Sequence, residues 1–427
     1  MQKLIINAET MFDGNVLVSN ASVLISNGVI LKVGKPGDFK GAAVNTRFLS
    51  PGLIDMHMHL VGFAQAYPQI RLFEYFNKML VYNGVTTVRE VGSYANTIYN
   101  FKNSKEPRPR IYSSIFLDGD KPIWGMSFLI KDKSQVRELI RTCRASGTKW
   151  VKVYQGIRPE LLSTIIKEAH SSGLKVAGHL GETKSKDACL MGIDTIEHLS
   201  YLMGTVGRAS SDFYKAWAKT DVDSKSIGEL VEALARSRTA VCPTLIVTQM
   251  GLFPSPEYSK YMRVLFPYTK AYKNQHPKPH LAKISTAVRT RAFRNIIKLT
   301  RRLNESGVTL IAGSDATNPF VAPGFSMHQE LRLLVASGMT PIEALKTATS
   351  NAAAVLGNSK LGRIKPGCSA DLVLYSESPA SDIRNSSKIT HVVLEGKLIK
   401  ADITELTSKS TLKRFLPKSP GPQRHRK

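Results

Sequence analysis

At 427 residues with 42% hydrophobic side chains, the chain is long enough to fill two packed domains, and a low-complexity or disordered protein is excluded. The 59 basic against 33 acidic residues leave a formal charge of +26, a field that favours anionic small molecules and non-specific contact with polyanions. No apolar stretch approaches the ~20 residues of a membrane span, no helix-turn-helix, RNP-like or zinc-finger pattern marks specific nucleic-acid recognition, and Cys143, Cys189, Cys242 and Cys368 are too scattered to suggest a disulfide framework or a thiolate metal cluster.

The N-terminal residues 1 to 9 lack a charged-then-apolar leader, which predicts a cytoplasmic protein. Residues 22 to 33 alternate around Asn27-Gly28, a hairpin signal. Pro51-Gly52 marks the exit from this β region. The apolar run that follows ends in His57-Met-His59, and in a strand residues i and i+2 share a face, so both imidazoles can reach one ion. Four further strand-like runs carry ligand-type residues: 149 to 154 holds Lys152, 174 to 179 ends at His179, 194 to 198 ends at His198, and 308 to 315 ends at Asp315. Helical patterns at 159 to 172 and 341 to 356 alternate with these runs, the βα rhythm of a parallel sheet. Strands recur at 370 to 375 and 390 to 399. The economical reading is a small β-sandwich built from both termini, residues 1–50 and 360–402, flanking an α/β domain over 51–359. Residues 403–427, rich in base and proline, are expected to form a disordered tail.

Each candidate ligand has an ordinary alternative. Lys152 can snorkel from a strand, and Asp315 can cap a helix. Six such residues at successive strand ends are better explained together, as a two-metal set. The runs Trp150-Val-Lys-Val-Tyr, Ala177-Gly-His, Thr195-Ile-Glu-His-Leu and Gly313-Ser-Asp-Ala resemble the amidohydrolase superfamily, in its imidazolonepropionase-related branch that includes Xaa-Pro dipeptidases. Gly84-Val-Thr-Thr-Val-Arg-Glu-Val-Gly and Gly324-Phe-Ser-Met-His-Gln-Glu-Leu fit the same branch, and the resemblance spans residues 1 to about 402.

The resemblance implies a distorted (β/α)8 TIM barrel with its site at the C-terminal ends of the strands. It implies that His57, His59 and Asp315 hold a buried ion, that His179 and His198 hold an outer one, and that carboxylated Lys152 bridges the two. Two divalent ions, zinc first among them, fit an imidazole-rich set. The reaction expected is hydrolysis of an amide or peptide bond in a dipeptide, an Xaa-Pro substrate or an N-acyl amino acid, with a bridging hydroxide as nucleophile and Asp315 as the acid/base. The alternative is a deaminase or cyclic amide hydrolase acting on a nitrogen heterocycle, with Glu182 of His179-Leu-Gly-Glu as proton donor. Tyr154 reads as a substrate contact or a barrel-packing residue, and His328 as a substrate contact or a helix cap. Arg89 is a candidate for a substrate carboxylate or an internal partner of Glu90 or another acid. The aromatic, basic segment 251–302 reads as a lid over the mouth or as an outer helix. A small-molecule substrate with a free carboxylate suits the positive field, and a homo-oligomer is compatible with it.

Overall fold

The alternating patterns at the two ends of the chain and the βα rhythm between them give two separate sheets. The computed structural model describes residues 3–60, 72–92, 107–120, 122–123, 127–199, 202, 210–253, 284–318, 320–408 and 410–411. Strands β1 (Lys3–Phe12), β2 (Leu17–Ser26), β3 (Val29–Gly34) and β4 (Ala43–Pro51) come first. The barrel strands follow: β5 (Leu53–Met58), β6 (Val85–Glu90), β7 (Arg110–Asp118) with the two-residue β8 (Phe128–Leu129) beside it, β9 (Trp150–Val153), β10 (Lys175–Gly178), β11 (Thr195–Glu197) and β12 (Ala240–Cys242). The chain then returns to the first sheet with β13 (Leu372–Tyr375), β14 (Ile389–Leu394) and β15 (Lys397–Lys400).

The strands of the two termini join in one continuous seven-stranded sheet, ordered β15-β14-β13-β4-β1-β2-β3. The Asn27-Gly28 hairpin forms as the sequence predicts, with both residues at positive φ (52° and 77°) and Ser26 paired to Val29. Gly52 is the hinge between the sheets. Its amide donates to the Asp371 carbonyl at 2.7 Å, and a Cβ there would lie 2.1 Å from the Thr86 hydroxyl, so only glycine lets β4 turn into β5.

The second sheet is parallel, in the order β12-β11-β10-β9-β7-β6-β5. Residues 309–316 close it: Val241 bridges Leu310, Met58 bridges Ala316, and the Met56 amide donates to the Ala312 carbonyl at 2.9 Å. The result is an eight-membered parallel barrel. Ile54, Met56, Trp150, Ala177, Ala240, Cys242 and Ile311 pack together in one buried cluster. The expected helix over 341–356 is broken into Pro341–Thr347 and Ser350–Leu356. At the break, the carbonyls of Thr347 and Ala348 accept the amides of Ala312 and Ile54, tying the helices to two strands.

Of the 251–302 segment, residues 254–283 lie outside the described residues. Beyond them Thr286–Glu305 is an outer helix with Ala292, Ile296, Leu299 and Leu303 buried. The tail boundary moves. Residues 403–406, expected to be disordered, form a short helix held by Tyr75 Oη donating to the Leu406 carbonyl (2.8 Å) and by Lys78 pairing with Glu405 (2.5 Å). Leu406 is buried against the helix Leu72–Tyr82 because its side chain covers apolar surface there. Residues 409 and 412–427 lie outside the described residues. No described helix is long and apolar enough to cross a membrane.

Candidate metal centre

All six sequence-predicted ligands lie at the C-terminal ends of barrel strands. His57 is the fifth residue of β5 and His59 follows its end. Lys152 is inside β9, His179 and His198 follow β10 and β11, and Asp315 is the last residue but one of the closing segment. Their side chains converge. Asp315 Oδ1 is 3.5 Å from His57 Nε2 and 3.4 Å from His59 Nε2, and Asp315 Oδ2 is 3.7 Å from His198 Nδ1. The His198 ring centroid is 4.5 Å from those of both His57 and His179.

The backbone is bent to make this possible. His198, Thr244 and Asp315 adopt positive φ (64°, 47° and 57°), a conformation costing non-glycine residues about 1–3 kcal/mol and concentrated at functional sites. Asp55 helps to hold it. Its carboxylate accepts the His57 amide (3.1 Å), the Ser314 amide (2.9 Å) and the Ser314 hydroxyl (2.6 Å), clamping β5 to the closing segment beside the ligands.

Three imidazoles are oriented by a second contact. His57 Nδ1 is 2.6 Å from Glu197 Oε2, His198 Nδ1 is 2.8 Å from Thr244 Oγ1, and His179 Nε2 is 2.9 Å from the Gln155 amide. For His57 the contact occupies Nδ1 and leaves Nε2 without a hydrogen bond, the pattern by which proteins fix the tautomer of a metal-bound histidine. Burial first, and neighbouring positive groups second, hold His57, His179 and His198 well below the ordinary imidazole range. They are neutral at pH 7, as ligation requires.

The donor set fits a divalent metal. His57 Nε2, Lys152 Nζ and Asp315 Oδ1 are buried and make no hydrogen bond, a costly arrangement unless another group binds them. Single ligand atoms of His57, His198 and Asp315 all lie within 4.8 Å of one another. Burial lowers the Lys152 ammonium to about 8, with Glu197 and Asp315 opposing the drop. Burial likewise raises Asp315 well above the usual carboxylate range, with Lys152 opposing.

For Arg89 the internal pairing holds, with Glu197 as the acid, and His328 is corrected. Arg89 is fully buried and cannot meet a substrate carboxylate: its Nε donates to the Met56 carbonyl (2.6 Å), Nη1 to Thr195 Oγ1 (2.9 Å) and Nη2 to Glu197 Oε1 (2.6 Å). The inward-facing guanidinium finds its counter-charge in the barrel interior. His328 is also buried, on the helix Phe325–Ala336, and its Nδ1 lies 3.2 Å from Ser386 Oγ of the 3-10 helix Ile383–Ser387, so it is packed between elements. Tyr154 does stand beside the ligands, its ring centroid 4.2 Å from that of His179. Glu182 is exposed in the loop after His179, and its amide donates to the Gln155 carbonyl.

Sequence reasoning missed Glu197, Asp55, Thr244 and Gln155. Glu197 had a visible signal, an acid in an apolar strand two residues from Thr195, but no spacing rule links it to His57. Cys242 also lies at this level, with its sulfur in reach of His57 and Glu197. Burial holds that thiol well above its ordinary range and so protonated, unlike a thiolate ligand.

An eight-membered parallel barrel with four imidazoles, a lysine and an aspartate at the C-terminal strand ends defines a metal-dependent hydrolase. Residues 48–399 match the model of the amidohydrolase family, and the chain belongs to that family. An ochratoxinase from Aspergillus niger is 24% identical, the match spanning 89% of this chain and 83% of that protein. An imidazolonepropionase from Geobacillus kaustophilus is 35% identical over 107 residues, 24% of this chain and 25% of that one. The crystal structure of a Xaa-Pro dipeptidase with bound methionine in the active site superposes with a TM-score of 0.68 at 21% identity, covering 93% of this chain and 100% of that one. This chain is therefore a hydrolase of carbon–nitrogen bonds, acting by metal-dependent amide hydrolysis.

Proposed function

We propose that the chain hydrolyses the amide bond of a small dipeptide or N-acyl amino acid, Xaa-Pro substrates included, over a pair of divalent ions, with zinc the first assignment. The observation that carries this reading is Lys152, a buried lysine without a hydrogen-bond partner facing Asp315 and Glu197. Ochratoxinase and Xaa-Pro dipeptidase among the similar proteins support the substrate class.

His57, His59 and Asp315 would hold the buried ion, and His179 and His198 the outer one. Lys152 would bridge them as a carbamate: its neutral amine adds to the carbon of CO2, one C=O π bond opens, and a proton leaves the nitrogen. An ammonium cannot ligate a cation, whereas a carbamate offers two anionic oxygens. When bound, the metal pair supplies water activation at neutral pH and Lewis-acid polarisation of the scissile carbonyl. Asp315 takes the proton of the attacking water on its carboxylate and delivers it to the leaving amine. Tyr154, its ring 4.2 Å from that of His179, would hydrogen-bond the substrate. The net charge of +26 draws in substrates that carry a free carboxylate.

A second reading, hydrolysis of a cyclic amide or deamination of a nitrogen heterocycle with Glu182 as proton donor, is favoured by the loop that carries Glu182 three residues past His179 and by the imidazolonepropionase match. One panel separates the two. Under the first reading, dipeptides and N-acyl amino acids release free amino acids, Asp315→Asn stops the release while retaining most of the metal, and Glu182→Gln changes little. Ammonia or ring opening from heterocycles, with no amino acid from any dipeptide and Glu182→Gln as damaging as Asp315→Asn, selects the second.

A further inference from the structure

The barrel interior holds a charged pair that the hydrolytic chemistry leaves without a task. Arg89 on β6 and Glu197 on β11 meet at 2.6 Å with both side chains fully buried. The guanidinium is fixed on all sides, by the Met56 carbonyl, by Thr195 Oγ1 and by the Trp150 ring, 4.5 Å from its centre. Glu197 divides its two oxygens. Oε1 accepts from Arg89 and from the Thr195 hydroxyl, while Oε2 meets His57 Nδ1. That last contact joins the ion pair to the layer of ligands above it.

A buried ion pair is weak as a source of stability, since apolar side chains of similar volume often serve as well or better. Its presence in the middle of an apolar cluster therefore calls for another reason. The partners of the other oriented imidazoles, Thr244 for His198 and Gln155 for His179, are neutral. Those two set ring orientation. His57 differs in facing a carboxylate, which both fixes the ring and makes its far nitrogen a stronger donor.

We infer that Glu197 is a positioning residue for the metal centre: it holds His57 in the Nδ1–H form with Nε2 turned into the cluster, and Arg89 fixes the carboxylate in that register. His57 Nε2, buried and without a hydrogen bond, is the atom so presented. The inference rests on the metal-dependent reading of the site.

The test compares Zn2+ affinity, by competition with a chromophoric chelator, and the visible spectrum of the Co2+-loaded full chain in three proteins. Arg89→Met with Glu197→Leu removes both charges and the contact to His57. Arg89→Met with Glu197→Gln removes the charges but keeps a neutral acceptor at His57. Both avoid the lone buried charge that would unfold a single variant. The expected order of affinity is wild type, then the glutamine double variant, then the leucine double variant about 10–100-fold below wild type, with a shifted Co2+ spectrum. Equal affinities and identical spectra in all three would make the pair a structural filler and overturn the inference. A wild-type chain that binds no Zn2+ or Co2+ would instead defeat the metal-dependent reading itself.

Discussion

Lys152 is a liability to the metal-free fold, and this can be measured. Its side chain is 1% exposed, and Nζ has no hydrogen-bond partner. Burial lowers its proton affinity from the ordinary 10.5 to about 8. At about 1.36 kcal/mol for each tenfold change, the charged form is disfavoured in the folded state by about 3 kcal/mol. The sign follows from proton uptake. Between pH 8 and 10.5 the unfolded chain binds the proton and the folded chain does not, so stability rises with pH across that window; below pH 8 both states are protonated and the full penalty stands. Replacing Lys152 with Met removes the titration. In CO2-free buffer with metal stripped by a chelator, urea denaturation followed by tryptophan fluorescence gives the stability of each protein from pH 7 to 10.5. The wild type is expected to gain about 3 kcal/mol on the variant over that range, and the variant to be the more stable protein at pH 7. The same variant, reloaded with zinc and bicarbonate, is expected to lose at least about 1000-fold in activity, about 4 kcal/mol of transition-state stabilisation. Parallel stability curves would refute the reasoning, because they would mean that the lysine is not desolvated in the folded barrel.

Protein prepared with zinc and bicarbonate is expected to carry close to two ions per chain by elemental analysis; a value near one, unchanged by Lys152→Ala, would contradict a bridged pair. Removing residues from 360 onward deletes β13 and with it the antiparallel partner of β4, along with the buried side chains of Leu372, Val373, Leu374 and Tyr375. The truncated protein is expected to aggregate through the exposed edge, as read by light scattering, and a monodisperse product would count against the shared sheet as a folding requirement.

Much of this architecture is legible in the sequence because it follows from local periodicity. A strand has a side-chain period of two, so His57-Met-His59 places both imidazoles on one side wherever the strand ends up. Apolar runs ending at His179, His198 and Asp315 announce strand ends, and parallel strands joined by helices put those ends on one face. Asn27-Gly28 announces its own turn, since both residues tolerate positive φ. The helix break near Thr349 was not legible: it depends on carbonyls of Thr347 and Ala348 meeting amides of strands far away in the chain.

The sequence by itself thus determined the α/β class, the terminal β sheet, and the six candidate ligands that the strand ends bring together. Only the tertiary structure decided which groups serve those six. Arg89 reads as a substrate contact or as an internal partner of Glu90 or another acid, and the acid it meets is Glu197, 108 residues away. Glu197 reaches His57 across 140 residues, and Thr244 reaches His198 across 46. Such pairings arise when a closed barrel brings side chains far apart in the chain within about 3 Å, a distance at which a buried polar group must find its partner, and no local pattern encodes who that partner is.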